Sequence, residues 1–152
     1  MDRKQVVLHV DDDPSQLRVV ASILERHGFQ VESTDDPEQA LVRLAETGAR
    51  VVLLDIDMPN KDGLSLLKEI KAVDGGVQII MLTGLVKMST VLRSMRWGAE
   101  ACIFKPLTDP APLIEAIEAA FAKIDRWWVA VNELAQEKKK LRNVGAAPAA
   151  AE

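Results

Sequence analysis

The chain has 152 residues, 48% of them hydrophobic and 28% charged, which is material for one cored domain with a remainder. A net charge of −4 argues against a nucleic-acid-binding surface, and no apolar run approaches the roughly 18 residues of a membrane span. The lone cysteine, Cys102, forms no internal disulfide, and without Cys/His clusters a structural zinc site is excluded. The opening Met1–Gln5 lacks the form of a secretory signal, so a reducing cytoplasm is the expected compartment.

In chain order, residues 5–10 form a short β-branched run that ends at Asp11-Asp12-Asp13. Pro14 suits the first turn of a helix with Asp13 as its N-cap, and Leu17, Val20, Ile23 and Leu24 recur at helical spacing. His27-Gly28 carries the stop signal. Residues 30–34 predict a second strand, and Asp36-Pro37 opens a helix that stops near Gly48. Val51–Leu54 is apolar at every position, as a central parallel strand should be, and runs into Asp55. A helix over 64–73, a strand over 78–82, a helix over 87–97, a strand over 101–104 and a long helix from Ala111 complete the pattern.

Five βα units predict a parallel sheet with helices on both faces. Right-handed crossovers bring every strand C-terminus to one edge, where such sheets hold their sites. Asp11-Asp12, Asp55, Thr83 and Lys105-Pro106 stand at four of those ends. Carboxylates gathered this way repel one another unless a cation compensates. An all-oxygen donor set calls for a hard ion, Mg²⁺ first. A carboxylate beside such an ion, with a lysine and a hydroxyl at hand, has the parts of a phosphoryl-acceptor site.

Val10-Asp11-Asp12-Asp13-Pro14, the run Leu54-Asp55-Ile56-Asp57-Met58-Pro59-Asn60-Lys61-Asp62-Gly63, then Thr83-Gly84 and Lys105-Pro106, resemble a response-regulator receiver domain of two-component signalling. The resemblance covers residues 4–125. It implies a doubly wound, flavodoxin-like five-stranded sheet of order 2-1-3-4-5. It also implies that Asp55 is the phosphoacceptor, that Asp11 and Asp12 form the acidic pocket with Asp12 a direct Mg²⁺ ligand, and that Asp57 lends a backbone carbonyl. By the same resemblance Thr83 is the switch hydroxyl that follows the phosphoryl group, Lys105 forms the ion pair with that group, and Pro106 is a cis proline. The implied phosphodonor is a sensor histidine kinase or a phosphotransfer protein, and the output is protein–protein contact. The chain then catalyses nothing beyond its own phosphorylation and dephosphorylation.

Plainer readings accompany these. Asp13 is expected to be an N-cap only, Met58-Pro59 and Asp62-Gly63 to shape a turn, and Gly84 to permit a close backbone approach. His9 and His27 are expected to be a strand residue and a helix-end residue, and Met81, Met88 and Met95 to be core or interface filling. One departure stands out: three residues before Lys105, where receivers commonly carry an aromatic, this chain has Cys102. Two alternatives stay open. One is a receiver-like adaptor that signals without phosphorylation; the other is a haloacid-dehalogenase-type phosphatase using Asp55-Ile56-Asp57.

Beyond the receiver, residues 126–143 are expected to form a helical extension and 144–152 a disordered tail. The extension is too short for a helix-turn-helix domain with its own core, so a stand-alone receiver without a DNA-binding domain is expected. Lys138-Lys139-Lys140-Leu141-Arg142 is expected to be a solvated helix end. Ile117, Ile124, Val131 and Lys138 lie seven apart, as do Ala120, Trp127, Leu134 and Leu141, the seam spacing of a coiled coil. Self-association or partner docking through this helix is the expectation, and folding back onto the receiver is its alternative.

Overall fold

A computed structural model describes residues 4–84 and 87–150, with side chains to 145. The elements follow one another as β1 (Val6–Val10), α1 (Pro14–Arg26), β2 (Gln30–Thr34), a 3₁₀ turn (Pro37–Gln39), α2 (Ala40–Thr47), β3 (Val51–Leu54), α3 (Gly63–Val73), β4 (Gln78–Thr83), α4 (Met88–Arg96), β5 (Ala101–Phe104) and α5 (Ala111–Ala150). The strands pair in parallel in the order β2-β1-β3-β4-β5. The parallel sheet is what the sequence pattern predicted, and its order is the one the resemblance implied.

Local chemistry sets the helix starts. Asp13 accepts the Ser15 N–H at 2.9 Å with Pro14 following, and Asp62 accepts the Leu64 N–H at 3.0 Å at the head of α3. Each satisfies a backbone donor that helix geometry leaves open. Asp36 does the same for Glu38 at 3.0 Å. The segment it opens begins as a 3₁₀ turn, and α2 proper starts at Ala40.

The pleat divides the sheet into two buried faces. Leu8, Val10, Val52, Leu54, Ile79 and Met81 share one core with Ala40 and Leu44 of α2 and Leu66, Leu67 and Ile70 of α3. The alternate positions Val7, Leu53, Ile80 and Leu82 are fully buried too, as are Val20 and Leu24 of α1 and Leu113 and Ile117 of α5. Phe29 and Phe121 stack with ring centroids 5.9 Å apart. β3 and β4 are buried throughout, whereas the edge strand β5 is only half-buried.

The chain divides into two compact units, Met1–Phe121 and Ala122–Glu152. α5 is helical through Ala150, past the end expected at 143; the expected tail, 144–152, falls largely on residues outside the described side chains. Among the described residues no helix is long and apolar enough to cross a membrane.

Candidate functional site

The ladder hydrogen bonds run directly into the site. Val10 lies opposite both Thr34 and Leu54. The next residues continue the ladder: the Asp11 N–H donates to Thr34 O at 3.2 Å, and the Asp55 N–H to Val10 O at 3.1 Å. The ends of β1 and β3 therefore present Asp11 and Asp55 side by side. On the same edge, at the C-terminal ends of β4 and β5, the Lys105 N–H donates to Thr83 O at 2.9 Å, which ties the residue after β5 to the last residue of β4. The Lys105–Pro106 peptide is cis, as the resemblance implied.

The side chains converge. Lys105 Nζ donates to Asp11 Oδ2 at 2.7 Å and lies 3.6 Å from Asp55 Oδ2. Asp11, Asp12 and Asp55 each offer an oxygen within 4.8 Å of the others. Asp11 and Asp55 are buried, while Asp12 is exposed at the mouth. Asp11 Oδ1 also accepts the Asp13 N–H at 3.0 Å, which fixes the turn into α1.

One ammonium does not balance three carboxylates. Burial pushes the Asp55 carboxyl up to about 6; Lys105 opposes the rise, Asp11 and Asp12 add to it, and the Asp57 N–H at 3.4 Å from Oδ1 also opposes it. A carboxylate held this way gains from a neighbouring cation. The donors are oxygens open at the Asp12 side, so the residues present fit Mg²⁺.

Asp57 is reached differently from the rest. Its side chain is exposed and stands outside the carboxylate cluster, and its link to the site is through the backbone. Thr83 is fully buried at the end of β4. Asp13 is the N-cap that the sequence predicted.

Gly84 has a different setting from the one expected. A Cβ there would meet nothing within 4 Å among the described residues, so no close backbone approach requires glycine. That requirement sits at Gly63 instead. A Cβ on Gly63 would lie 2.7 Å from the Ile56 Cα and closer still to the Asp55 carbonyl oxygen. The Gly63 N–H donates to Ile56 O at 3.0 Å, so the head of α3 is pinned against the backbone that carries Asp55. Sequence reasoning gave Asp62-Gly63 only a turn-shaping role; a glycine at the first helical position was the available signal.

His9 is the strand residue the sequence predicted, and its position beside the acidic pocket is what the structure adds. The ring is fully buried on β1, with Nε2 3.9 Å from Asp11 Oδ2 and neither nitrogen hydrogen-bonded. Burial lowers its pKa to about 4 against the pull of Asp11, so it is neutral beside the acidic pocket. Strand periodicity held the signal, because residues 9 and 11 share a face.

Comparison with known proteins agrees with this geometry. Residues 7–118 match the sequence model of the response regulator receiver domain. The DNA-binding response regulator MtrA of Mycolicibacterium smegmatis is 33% identical over 116 residues, 76% of this chain and 50% of MtrA. This chain thus spans about half the length of that relative. A CheY-like receiver domain protein from Methanospirillum hungatei superposes with a TM-score of 0.76 at 29% identity, covering 82% of this chain and 98% of that one. The BeF3-activated N-terminal receiver domain of RstA from Klebsiella pneumoniae gives a TM-score of 0.71 at 30% identity, covering 76% and 97%. With its strand order, acidic cluster and family match in agreement, the chain belongs to the response regulator receiver domain family.

Proposed function

We propose that this receiver accepts a phosphoryl group on Asp55 from a phosphohistidine of a sensor histidine kinase or phosphotransfer protein, and signals by protein–protein contact. The observation that carries the reading is Lys105 Nζ held at 2.7 Å from Asp11 and 3.6 Å from Asp55. An Asp55 carboxylate oxygen attacks phosphorus, the P–N bond to the donor imidazole breaks, and the leaving nitrogen takes a proton. An acyl phosphate results. Lys105 faces the charge that builds on the phosphoryl oxygens, and the Thr83 hydroxyl is the donor that follows the group. Asp11, Asp12 and Asp55, with the Asp57 carbonyl, would hold Mg²⁺, which supplies charge neutralisation at those same oxygens. The chain acts only on its own aspartate, and a cytoplasmic location goes with a kinase donor.

Intact-mass measurement after incubation with acetyl phosphate and Mg²⁺ tests this. One phosphoryl group per chain is expected, and none in Asp55→Asn, whose amide is not a nucleophile. An unlabelled wild-type chain would favour the phosphorylation-independent adaptor. Repeated turnover of a phosphate ester would favour the phosphatase.

A further inference from the structure

Along α5 the apolar residues keep a single heptad register. Ile117, Ile124, Val131 and Lys138 take the a positions, and Ala120, Trp127, Leu134 and Leu141 the d positions. Early in the helix this stripe is buried, with Ile117 at 0% and Ala120 at 3% exposure. From residue 127 onward the same stripe is bare: Trp127 is 67% exposed, Val131 49%, Leu134 62% and Leu141 73%. A seam of this length, apolar but for Lys138, marks an interface when it lies exposed on a helix.

We infer that residues 127–144 pair with the same segment of a second copy of this chain as a parallel, two-stranded coiled coil. The flanking charges select both the partner and the orientation. Glu137 takes a g position and Arg142 an e position. In a parallel, in-register pair each g residue meets the e residue five places further on in the other helix. Glu137 of each chain therefore meets Arg142 of the other, once on each side of the two-fold axis. An antiparallel pair sets g against g and e against e. Neither Ala130 nor Val144 at g offers Glu137 a cation, and neither Trp128 nor Ala135 at e offers Arg142 an anion.

The lone charged seam residue, Lys138, costs affinity but favours a defined register, and its long stem lets the ammonium reach water. Isolated helices of this length are marginal because nucleation is costly. This segment continues a helix that begins at Ala111, so it propagates an existing nucleus. The inference stands apart from the chemistry at Asp55, which none of these residues touches.

Sedimentation equilibrium of the full chain over micromolar concentrations provides the test, with helix content and Mg²⁺-dependent phosphorylation checked for each variant. A concentration-dependent dimer is expected for the wild type. Leu134→Asp, at an exposed position that leaves the receiver core untouched, is expected to be monomeric throughout. Glu137→Lys is expected to weaken association about tenfold by replacing two attractions with two repulsions. Combining Glu137→Lys with Arg142→Glu is expected to restore it. A wild-type chain that stays monomeric, a Leu134→Asp chain that still dimerises, or a double variant as weak as the single one would overturn the inference. Loss of phosphorylation in the wild type would instead bear on Asp55.

Discussion

Two ion-paired ends of the same sheet use similar charges to opposite effect. Before β3 and after α3, Arg50 meets Asp74 in a half-exposed pair, and the guanidinium hydrogen bond holds the Asp74 carboxyl below the usual range. At the far ends of β1, β3 and β5, Lys105 meets Asp11 and Asp55 in a nearly enclosed cluster, and Asp55 is pushed up to about 6. The Arg50–Asp74 end is balanced, one charge against one, and serves folding. The Lys105 end carries a surplus of negative charge, the arrangement a cation would relieve. What separates a structural ion pair from a reactive one is the imbalance, together with the burial that keeps water from relieving it.

The largest contrast lies in the backbone. Gly63 packs against the Asp55–Ile56 main chain, whereas a Cβ on Gly76 would meet only side-chain tips, the Arg50 guanidinium at 2.6 Å and the Asp74 Oδ1 at 3.3 Å. Gly63→Ala should cost about 3 kcal/mol, because main chain must move, and lower the melting temperature by about 10 °C. Gly76→Ala should cost no more than about 0.5 kcal/mol, since a flexible guanidinium can swing aside. Thermal melts of the two variants decide this; equal losses would show that the site end is no more rigid than the other.

Mg²⁺ at about ten times its dissociation constant should stabilise the fold by about 1.4 kcal/mol, or roughly 4 °C. Asp12→Asn should remove most of that gain and Asp74→Asn none of it. A melting curve indifferent to millimolar Mg²⁺ would count against the acidic cluster as a metal site.

The pH dependence of the two aspartates should differ in sign. Asp55 binds its proton more tightly in the folded chain, so its ionisation destabilises the fold as pH rises from about 4 through about 6. Without Mg²⁺, Asp55→Asn should therefore gain about 1 kcal/mol at pH 8 and nothing near pH 4. Asp74 releases its proton more readily when folded, so its contribution is present at neutral pH and lost as pH falls below the ordinary carboxylate value. Asp74→Asn should cost about 0.5 kcal/mol at pH 7, a small value for a half-exposed pair, and the difference should close in acid. Denaturant titrations at both pH values measure these effects; a neutral-pH loss for Asp55→Asn would reverse the assignment.

The sheet was legible in sequence because β3 is apolar at every position and β4 from Ile79 to Leu82, runs that suit parallel strands covered on both faces. The cap Asp13 was legible for a local reason, since it bonds a backbone N–H two residues on; Asp62, read only as part of a turn, caps α3 in the same way. The main site residues stood at predicted strand ends and needed only the topology to gather them. What the sequence left unread is all non-local. Whether Gly63 or Gly84 faces a neighbouring backbone depends on how α3 docks on the Asp55 loop. The unpartnered ring of His9 follows from what surrounds β1 on every side. Of the methionines, Met81 is core, while Met88 and Met95 on α4 are exposed at 73% and 67%, and composition alone does not distinguish them.

The hydrogen bond between Lys105 and Asp11 joins residues 94 positions apart in the chain. It needs residue 105, so in a growing chain it forms only after all five strands have been made. No nascent or truncated chain ending before residue 105 has the full set of charges. The lysine that faces the phosphoryl oxygens in the chemistry proposed for Asp55 is the last of those charges to be synthesised, and a complete charge set at that aspartate marks a polypeptide made through its last strand.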